Sequence, residues 1–504
     1  MLHPPAQPVR HGGHAGQRRD LQLNLGVRSE RVRPRGRPAR SRRCGAPPSG
    51  GSGQKPVCER VAQPRLPPGR DERRAQRRSE IRADRATCER ATYAGATVAH
   101  RESSASRRLF EPARHEARRD VAWDEARARA AIQEIVDDAA HQLGDGVTWR
   151  WHPLDEAAAA EPEHRSLYLG AAGVLWALWY LARVGAARVE LDWADRLARV
   201  HGAYRAQPDT GAVVPSYFLG EVGILLVRLL VGGDRASADR MAAAIRDNLA
   251  NPTGEALWGA PGTMGAALRM HERTPERRWA ELFADNVEQL WRTWQVGEHG
   301  HLWTQDLHGR LDRLLGAAHG FAGNVHPLLA GAALLGGDRR EELYARCVET
   351  LSRTAIVDED GVNWPPAVDA RTQGAMLVQW CHGAPGIVTA CAGLPRGRWP
   401  ELERLLVGAG ELVWRAGPLA KGFGLCHGTA GNGEAFLVLH QRTGDPAWLE
   451  RARRFAMVAL EQAEAMRDVH GRRRHTLWTG DPGLAVYLWQ CITGEAGMPS
   501  LDLL

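Results

Sequence analysis

The sequence predicts an all-α domain arranged as a closed ring of seven helical hairpins, preceded by an Arg- and Pro-rich tail. Three observations lead there: a seven-fold Gly-x-x-Gly repeat, the alternation of apolar and amphipathic segments between its copies, and the lack of any strand-like alternation of comparable length. The copies are Gly170-Ala-Ala-Gly173, Gly220-Glu-Val-Gly223, Gly259-Ala-Pro-Gly262, Gly320-Phe-Ala-Gly323, Gly383-Ala-Pro-Gly386, Gly428-Thr-Ala-Gly431 and Gly480-Asp-Pro-Gly483. Their first glycines follow one another at 50, 39, 61, 63, 45 and 52 residues.

Most copies open an apolar run of helical length, such as 174–182, 224–230 and 484–492. Charged amphipathic stretches lie between them, for example 193–205, 235–249, 276–294 and 448–466. One period therefore holds two helices, one mostly apolar and one with a polar face. The glycines mark tight turns with close backbone approach at the start of each apolar helix. A single Gly-x-x-Gly need only cap a helix in an open array. Seven copies with one flanking pattern argue for closure, with seven inner helices lining a barrel and seven outer ones shielding it. All seven turns then point to one end, where Cys381, Cys426, His427 and His319 are expected to meet.

The chain has 504 residues, a net charge of +7 and a pI near 9.2. The basic charge is unevenly placed. Residues 1–104 hold 23 Lys and Arg against 9 Asp and Glu, while the remaining 400 hold 43 against 50. The expected domain at 105–504 is therefore mildly acidic, which argues against nucleic acid as its partner. The tail at 1–104 has few aromatics and no periodicity. It is expected to be disordered, or to follow from a translation start placed too far upstream. No run of 18 apolar residues and no signal-peptide pattern is present, so a cytoplasmic protein without a membrane span is expected.

Eight cysteines occur, Cys44, Cys58 and Cys88 in the tail and Cys347, Cys381, Cys391, Cys426 and Cys491 beyond it. Their scatter does not suggest a disulfide framework. Cys347, Cys391 and Cys491 fall in apolar or amphipathic runs and are expected to pack. Cys381 and Cys426 differ, because each precedes a histidine at a repeat turn: Trp380-Cys381-His382-Gly383 and Leu425-Cys426-His427-Gly428. Thiolates and imidazole suit zinc, and three such donors leave a tetrahedral ion one open position, the arrangement of a catalytic site. His382 keeps a closed four-donor site in play, and closure would make the metal structural. No carboxylate pair at the turns suits glycoside cleavage.

Beyond residue 107 the chain resembles the lanthionine synthetase C-like family. The resemblance rests on Gly316-Ala-Ala-His-Gly-Phe-Ala-Gly323, Asn363-Trp-Pro-Pro366, Trp380-Cys-His-Gly-Ala-Pro-Gly386 and Gly424-Leu-Cys-His-Gly-Thr-Ala-Gly-Asn432. It implies an α,α-toroid and one zinc ion held by Cys381, Cys426 and His427, with solvent or a substrate thiol in the fourth position. Lantibiotic cyclases of that family usually carry aspartate four residues before the third repeat glycine, where this chain has Glu255. Glutamate there, with Asn363-Trp-Pro-Pro366, resembles the branch of eukaryotic and stand-alone bacterial members. That branch implies addition of glutathione to dehydroalanine or dehydrobutyrine in a peptide or protein. Intramolecular lanthionine-ring closure is the alternative reaction, and a non-catalytic zinc- or glutathione-binding module the alternative class.

The reaction so implied is a Michael addition, for which His319 is the candidate acid and Glu255 a candidate to orient or charge a neighbour. Only two lysines accompany 64 arginines, Lys55 and Lys421. Lys421, five residues before Cys426, is a candidate for a carboxylate of glutathione, and in the resembling branch a lysine here is associated with the thiol cosubstrate. Arg108 is a second candidate for that contact. Trp258, Trp364, Trp380 and Trp478, each just ahead of a turn or motif, are expected to wall the ring mouth.

Overall fold

A computed structural model describes residues 108–155, 163–307, 309–368 and 376–503 of the chain. The basic segment 1–104, with Cys44, Lys55, Cys58 and Cys88, lies outside the described residues. Among those described there are fourteen α-helices in seven pairs. The outer members are α1 (Glu125–Leu143), α3 (Trp193–Ala206), α5 (Ala236–Asn248), α7 (Arg277–Thr293), α9 (Gly337–Thr354), α11 (Pro400–Ala416) and α13 (Pro446–His470). The inner members are α2 (Ala171–Arg183), α4 (Glu221–Gly232), α6 (Ala260–Arg273), α8 (Phe321–Ala330), α10 (Ala384–Ala390), α12 (Thr429–Thr443) and α14 (Asp481–Thr493). Every inner helix begins immediately after the first glycine of one repeat.

Each inner helix packs on the inner helix of the next repeat, and α14 returns to α2, so the ring closes as an α,α-toroid. Inner helices are buried almost all round; in α2 the run 171–178 is wholly buried. The outer helices bury one face, as α7 does through Trp279, Leu282, Phe283, Val287 and Leu290. Asp124, Asp192 and Asp445 cap α1, α3 and α13 by accepting from Arg127, Asp195 and Ala447 backbone N–H groups.

In α10 the Asn363 Oδ1 accepts from the first N–H, that of Ala384, whereas α2, α4, α8, α12 and α14 solve the same end problem with backbone alone. Their first N–H groups, which have no intrahelical partner, donate to carbonyls seven residues upstream. Thr429, Ala430 and Gly431 donate to Gly422, Phe423 and Gly424, and Phe321, Ala322 and Gly323 donate to Leu314, Leu315 and Gly316. Ala171, Ala172, Glu221 and Asp481 make the equivalent bonds to His164, Arg165, Val214 and Arg474. The chain therefore folds back over the start of each inner helix, and this close approach is what the glycines permit. Gly383 sits at φ 110°, and a Cβ on Gly386 would lie 1.9 Å from the Trp380 carbonyl oxygen.

Among the described residues six three-residue strands, which the sequence pattern does not disclose, form three antiparallel hairpins. They are β1 (Gln295–Gly297) with β2 (Gly300–Leu302), β3 (Gln305–Leu307) with β4 (Arg310–Asp312), and β5 (Ile356–Asp358) with β6 (Gly361–Asn363). All three lie in the connections that run from an outer helix to the next repeat turn. No helix among the described residues is long and apolar enough to cross a membrane.

The turn packing makes a stability prediction. Gly386→Ala should lower stability by more than about 1 kcal/mol, because its Cβ meets fixed backbone. Gly202→Ala in outer helix α3, where an added Cβ meets nothing within 4 Å, should raise it by up to about 1 kcal/mol. Denaturant midpoints of the two variants check the contrast.

Candidate metal centre

The repeat places equivalent residues side by side. Two residues before the first glycine, successive turns are joined by one backbone hydrogen bond: Cys381 N–H donates to Cys426 O at 3.0 Å, and Cys426 N–H to Trp478 O at 2.9 Å. The series continues from Trp478 to Tyr168 O at 3.4 Å and from Tyr168 to Phe218 O at 2.9 Å. Cys381 and Cys426 occupy the same offset in neighbouring repeats, so this bond sets their side chains next to each other. His427 follows Cys426 directly. The ligand atoms of Cys381, Cys426 and His427 all lie within 4.8 Å of one another. His382 is not in that group, although it follows Cys381 as His427 follows Cys426.

This donor set fits a sulfur-accepting first-row divalent ion: two thiols and one imidazole, with no further protein donor in the cluster among the described residues. Both cysteines are buried and His427 is half-buried. A hydrogen bond from Cys381 and the charge of His427 hold the Cys426 thiol well below its ordinary value, against the cost of burial. The resulting thiolate, with burial, drives the Cys381 thiol well up, opposed by the Lys421 charge and the Gln379 amide. Burial lowers the His427 imidazole, which leaves it neutral and able to ligate.

Glu255 and His319 come together across two repeats. Glu255 is fully buried in its turn, where it accepts from Leu257 N–H at 2.8 Å and Trp258 N–H at 2.7 Å. Its Oε2 lies 3.1 Å from His319 Nδ1, an ion pair whose N–H is not aligned as a hydrogen bond. Burial opposes charge on His319, but Glu255 and the Cys426 thiolate outweigh it and raise the imidazole above its ordinary value. His382 lies near-parallel to His319 at 5.9 Å between ring centroids. Burial, then the charges of His319 and His427, push His382 down to about 3, so it remains a neutral spacer.

Lys421 is exposed, yet its charge reaches both Cys381 and His427, which places it at the rim of the donor set. Arg108 is also exposed. Its neighbour Leu109 is tied to the Cys381 turn by Asn363, whose Nδ2 donates to Leu109 O at 2.8 Å and to Leu377 O at 3.1 Å. Asn363 Oδ1 accepts from Ala384 N–H at 2.8 Å. Trp364, Trp380 and Trp478 are buried, with Trp380 and Trp478 rings 4.6 Å apart, while Trp258 is half-buried. Cys347, Cys391 and Cys491 are free, buried and outside the donor cluster.

Three residues beside the donors escaped the sequence reading. Gln379 Nε2 donates to Cys381 Sγ at 3.0 Å. The Tyr168 phenol helps to lower the Cys426 thiol. Asn363, part of the Asn363-Trp-Pro-Pro366 motif, forms a clamp that the motif alone does not reveal. Offsets within the repeat could have found two of them: Tyr168 shares the offset of Cys381 and Cys426, and Gln379 shares that of Glu255.

The family model described as lanthionine synthetase C-like protein matches residues 161–503. Glutathione S-transferase LANCL1 of Danio rerio is 38% identical over 148 residues, 29% of this chain and 35% of that protein. LanC-like protein GCL1 of Arabidopsis thaliana is 42% identical over 91 residues, 17% of this chain and 20% of that protein. The chain thus matches about a third and a fifth of the length of these curated relatives. A solved nisin cyclase structure superposes with a TM-score of 0.49 at 13% identity, covering 72% of this chain and 99% of that one.

The Glu255–His319 pair predicts a pH effect. His319 gains affinity for a proton on folding, so the pair stabilises the metal-free protein fully below pH about 6.5 and loses that effect as pH rises through the raised folded value. Nuclear magnetic resonance titration of the metal-free protein should place His319 above 6.5. Glu255→Gln should lower it; an unchanged midpoint would contradict the pairing.

Proposed function

This chain belongs to the lanthionine synthetase C-like family, and from that premise we propose that it adds a thiol, glutathione in the first instance, to dehydroalanine or dehydrobutyrine residues of a peptide or protein. The observation that carries the reading is the convergence of Cys381, Cys426 and His427 with no further protein donor in their cluster among the described residues. Two thiolates, one imidazole and a free position suit zinc acting on an exogenous ligand. A relative named as a glutathione S-transferase supports glutathione as the donor. A zinc ion bound here would supply Lewis acidity, ionising a thiol whose unperturbed pKa is about 8.5 and holding it in place.

The protein's own residues do the rest. Cys381 and Cys426 give up their protons and bring two negative charges, which keeps the incoming sulfur nucleophilic. Lys421 and Arg108 meet the carboxylates of glutathione and orient it. The thiol sulfur attacks the β-carbon of the dehydroamino acid, and the π electrons move to form an enolate. His319 holds a proton on Nε2, the nitrogen that Glu255 does not engage, and delivers it to the α-carbon. Glu255 keeps the ring charged until that moment, so one thiol and one alkene become one thioether with no proton left over. His319 regains its proton from the thiol that ionises in the next cycle.

The reading predicts about one zinc per chain in purified protein. Incubation with glutathione and a dehydroalanine peptide should increase the peptide mass by that of glutathione. Cys426→Ala should lose both the metal and the adduct; retention of both would overturn the assignment. His319→Ala should keep the zinc and slow adduct formation by about 100-fold or more.

A further inference from the structure

We propose that Gln379 and Tyr168 are positioning residues for the two sulfurs of the metal centre, each donating a hydrogen bond to one of them and so fixing its direction and its donor strength. The proposal rests on the metal-centre reading given above and extends it to groups that do not ligate.

Neither contact is incidental to the fold. The Gln379 Nε2 atom lies 3.0 Å from Cys381 Sγ, and the side chain is buried. Its backbone is pinned as well: Gln379 N–H donates to His382 O at 3.2 Å and His382 N–H to Gln379 O at 3.1 Å, which closes the turn around Cys381. An amide held this way has little freedom to leave the sulfur. Gln379 occupies the offset that Glu255 occupies two repeats earlier. A carboxylate at that offset charges a histidine, whereas an amide at the same offset supplies a neutral donor where a second anion would repel two thiolates.

Tyr168 belongs to a different repeat from Cys426. Its backbone lies two turns on from Cys426 in the hydrogen-bonded series, with Trp478 between them. The phenol ring stacks on Trp478 at 6.0 Å and 12°, and its edge meets Phe218 at 6.4 Å and 80°. These rings hold the phenol on the face of Trp478, itself one turn from Cys426 in the hydrogen-bonded series, and the inferred bond is from its hydroxyl to the Cys426 sulfur. On this proposal each sulfur has one neutral donor, the two coming from different repeats.

A hydrogen bond to a metal-bound thiolate withdraws electron density that would otherwise pass to the metal. Partners of this kind also fix ligand orientation, and their loss typically costs about 10- to 100-fold in metal affinity. With both donors in place, two thiolates can bind the ion without quenching its acidity toward an incoming thiol. Deleting either donor should make its sulfur more electron-rich and less well directed.

Cobalt(II) substitution of the full chain reports this directly, because the sulfur-to-cobalt charge-transfer bands move to lower energy as a thiolate becomes more electron-rich. Tyr168→Phe keeps the stacked ring and removes only the hydroxyl; Gln379→Leu removes the amide. Both variants should show red-shifted charge-transfer bands and a 10- to 100-fold weaker competition for cobalt against a chelator. Folded variants with unmoved bands and affinity within about twofold would overturn the proposal while leaving the metal centre standing. Absence of sulfur-to-cobalt bands in the unsubstituted protein would overturn the metal-centre reading itself, and this proposal with it. Circular dichroism verifies the fold, and should Gln379→Leu misfold, Tyr168→Phe decides alone.

Discussion

One backbone hydrogen bond, repeated from turn to turn, is the constraint on which the site depends. It joins the residues two before the first repeat glycine, and at Cys381 and Cys426 it brings two sulfurs together that are 45 residues apart in the chain. The bond is available because the turn folds onto the helix start, after Cys426 through N–H groups that donate to carbonyls seven residues upstream and after Cys381 through Asn363, which bridges Ala384 N–H and Leu377 O. That fold-back requires a residue without a Cβ at fixed points, which explains why the glycines recur while nearly everything between them varies. The chemistry is then a matter of which side chains occupy a few equivalent offsets in each repeat.

Charge is distributed over those offsets with the same economy. Two thiols and a neutral imidazole form the donor cluster, while an acid one step further round raises a histidine rather than approaching the sulfurs. His382 fills the remaining space without charge, its imidazole kept neutral by burial between two other histidines. The positive rim, with Lys421 felt at Cys381 and His427, faces outward. The donor cluster and the Glu255–His319 pair stay distinct because they sit on different turns.

Much of this was legible in the sequence because the determinants are local. Gly-x-x-Gly marks a turn wherever it occurs, and amphipathic stretches such as 276–294 predict outer helices that the structure places within a residue or two, here Arg277–Thr293. The pairs Cys381-His382 and Cys426-His427 stand out by residue type alone. The short hairpins were not legible, since three-residue strands such as Gln295–Gly297 carry too little alternation to register. Nor was the Glu255–His319 contact specified, because it joins side chains across two turns and depends on how those turns pack. Tyr168 and Gln379 look like ordinary core-flanking residues until the seven copies are aligned by offset.

The central claim is an ion held by two sulfurs and one imidazole with a position open to an incoming thiol. Zinc K-edge X-ray absorption of the purified protein, with and without glutathione, tests it most directly. The account predicts a four-coordinate shell with two sulfurs and two lighter atoms that changes to three sulfurs and one lighter atom when glutathione is added. A shell of four protein donors that glutathione leaves unaltered would contradict it.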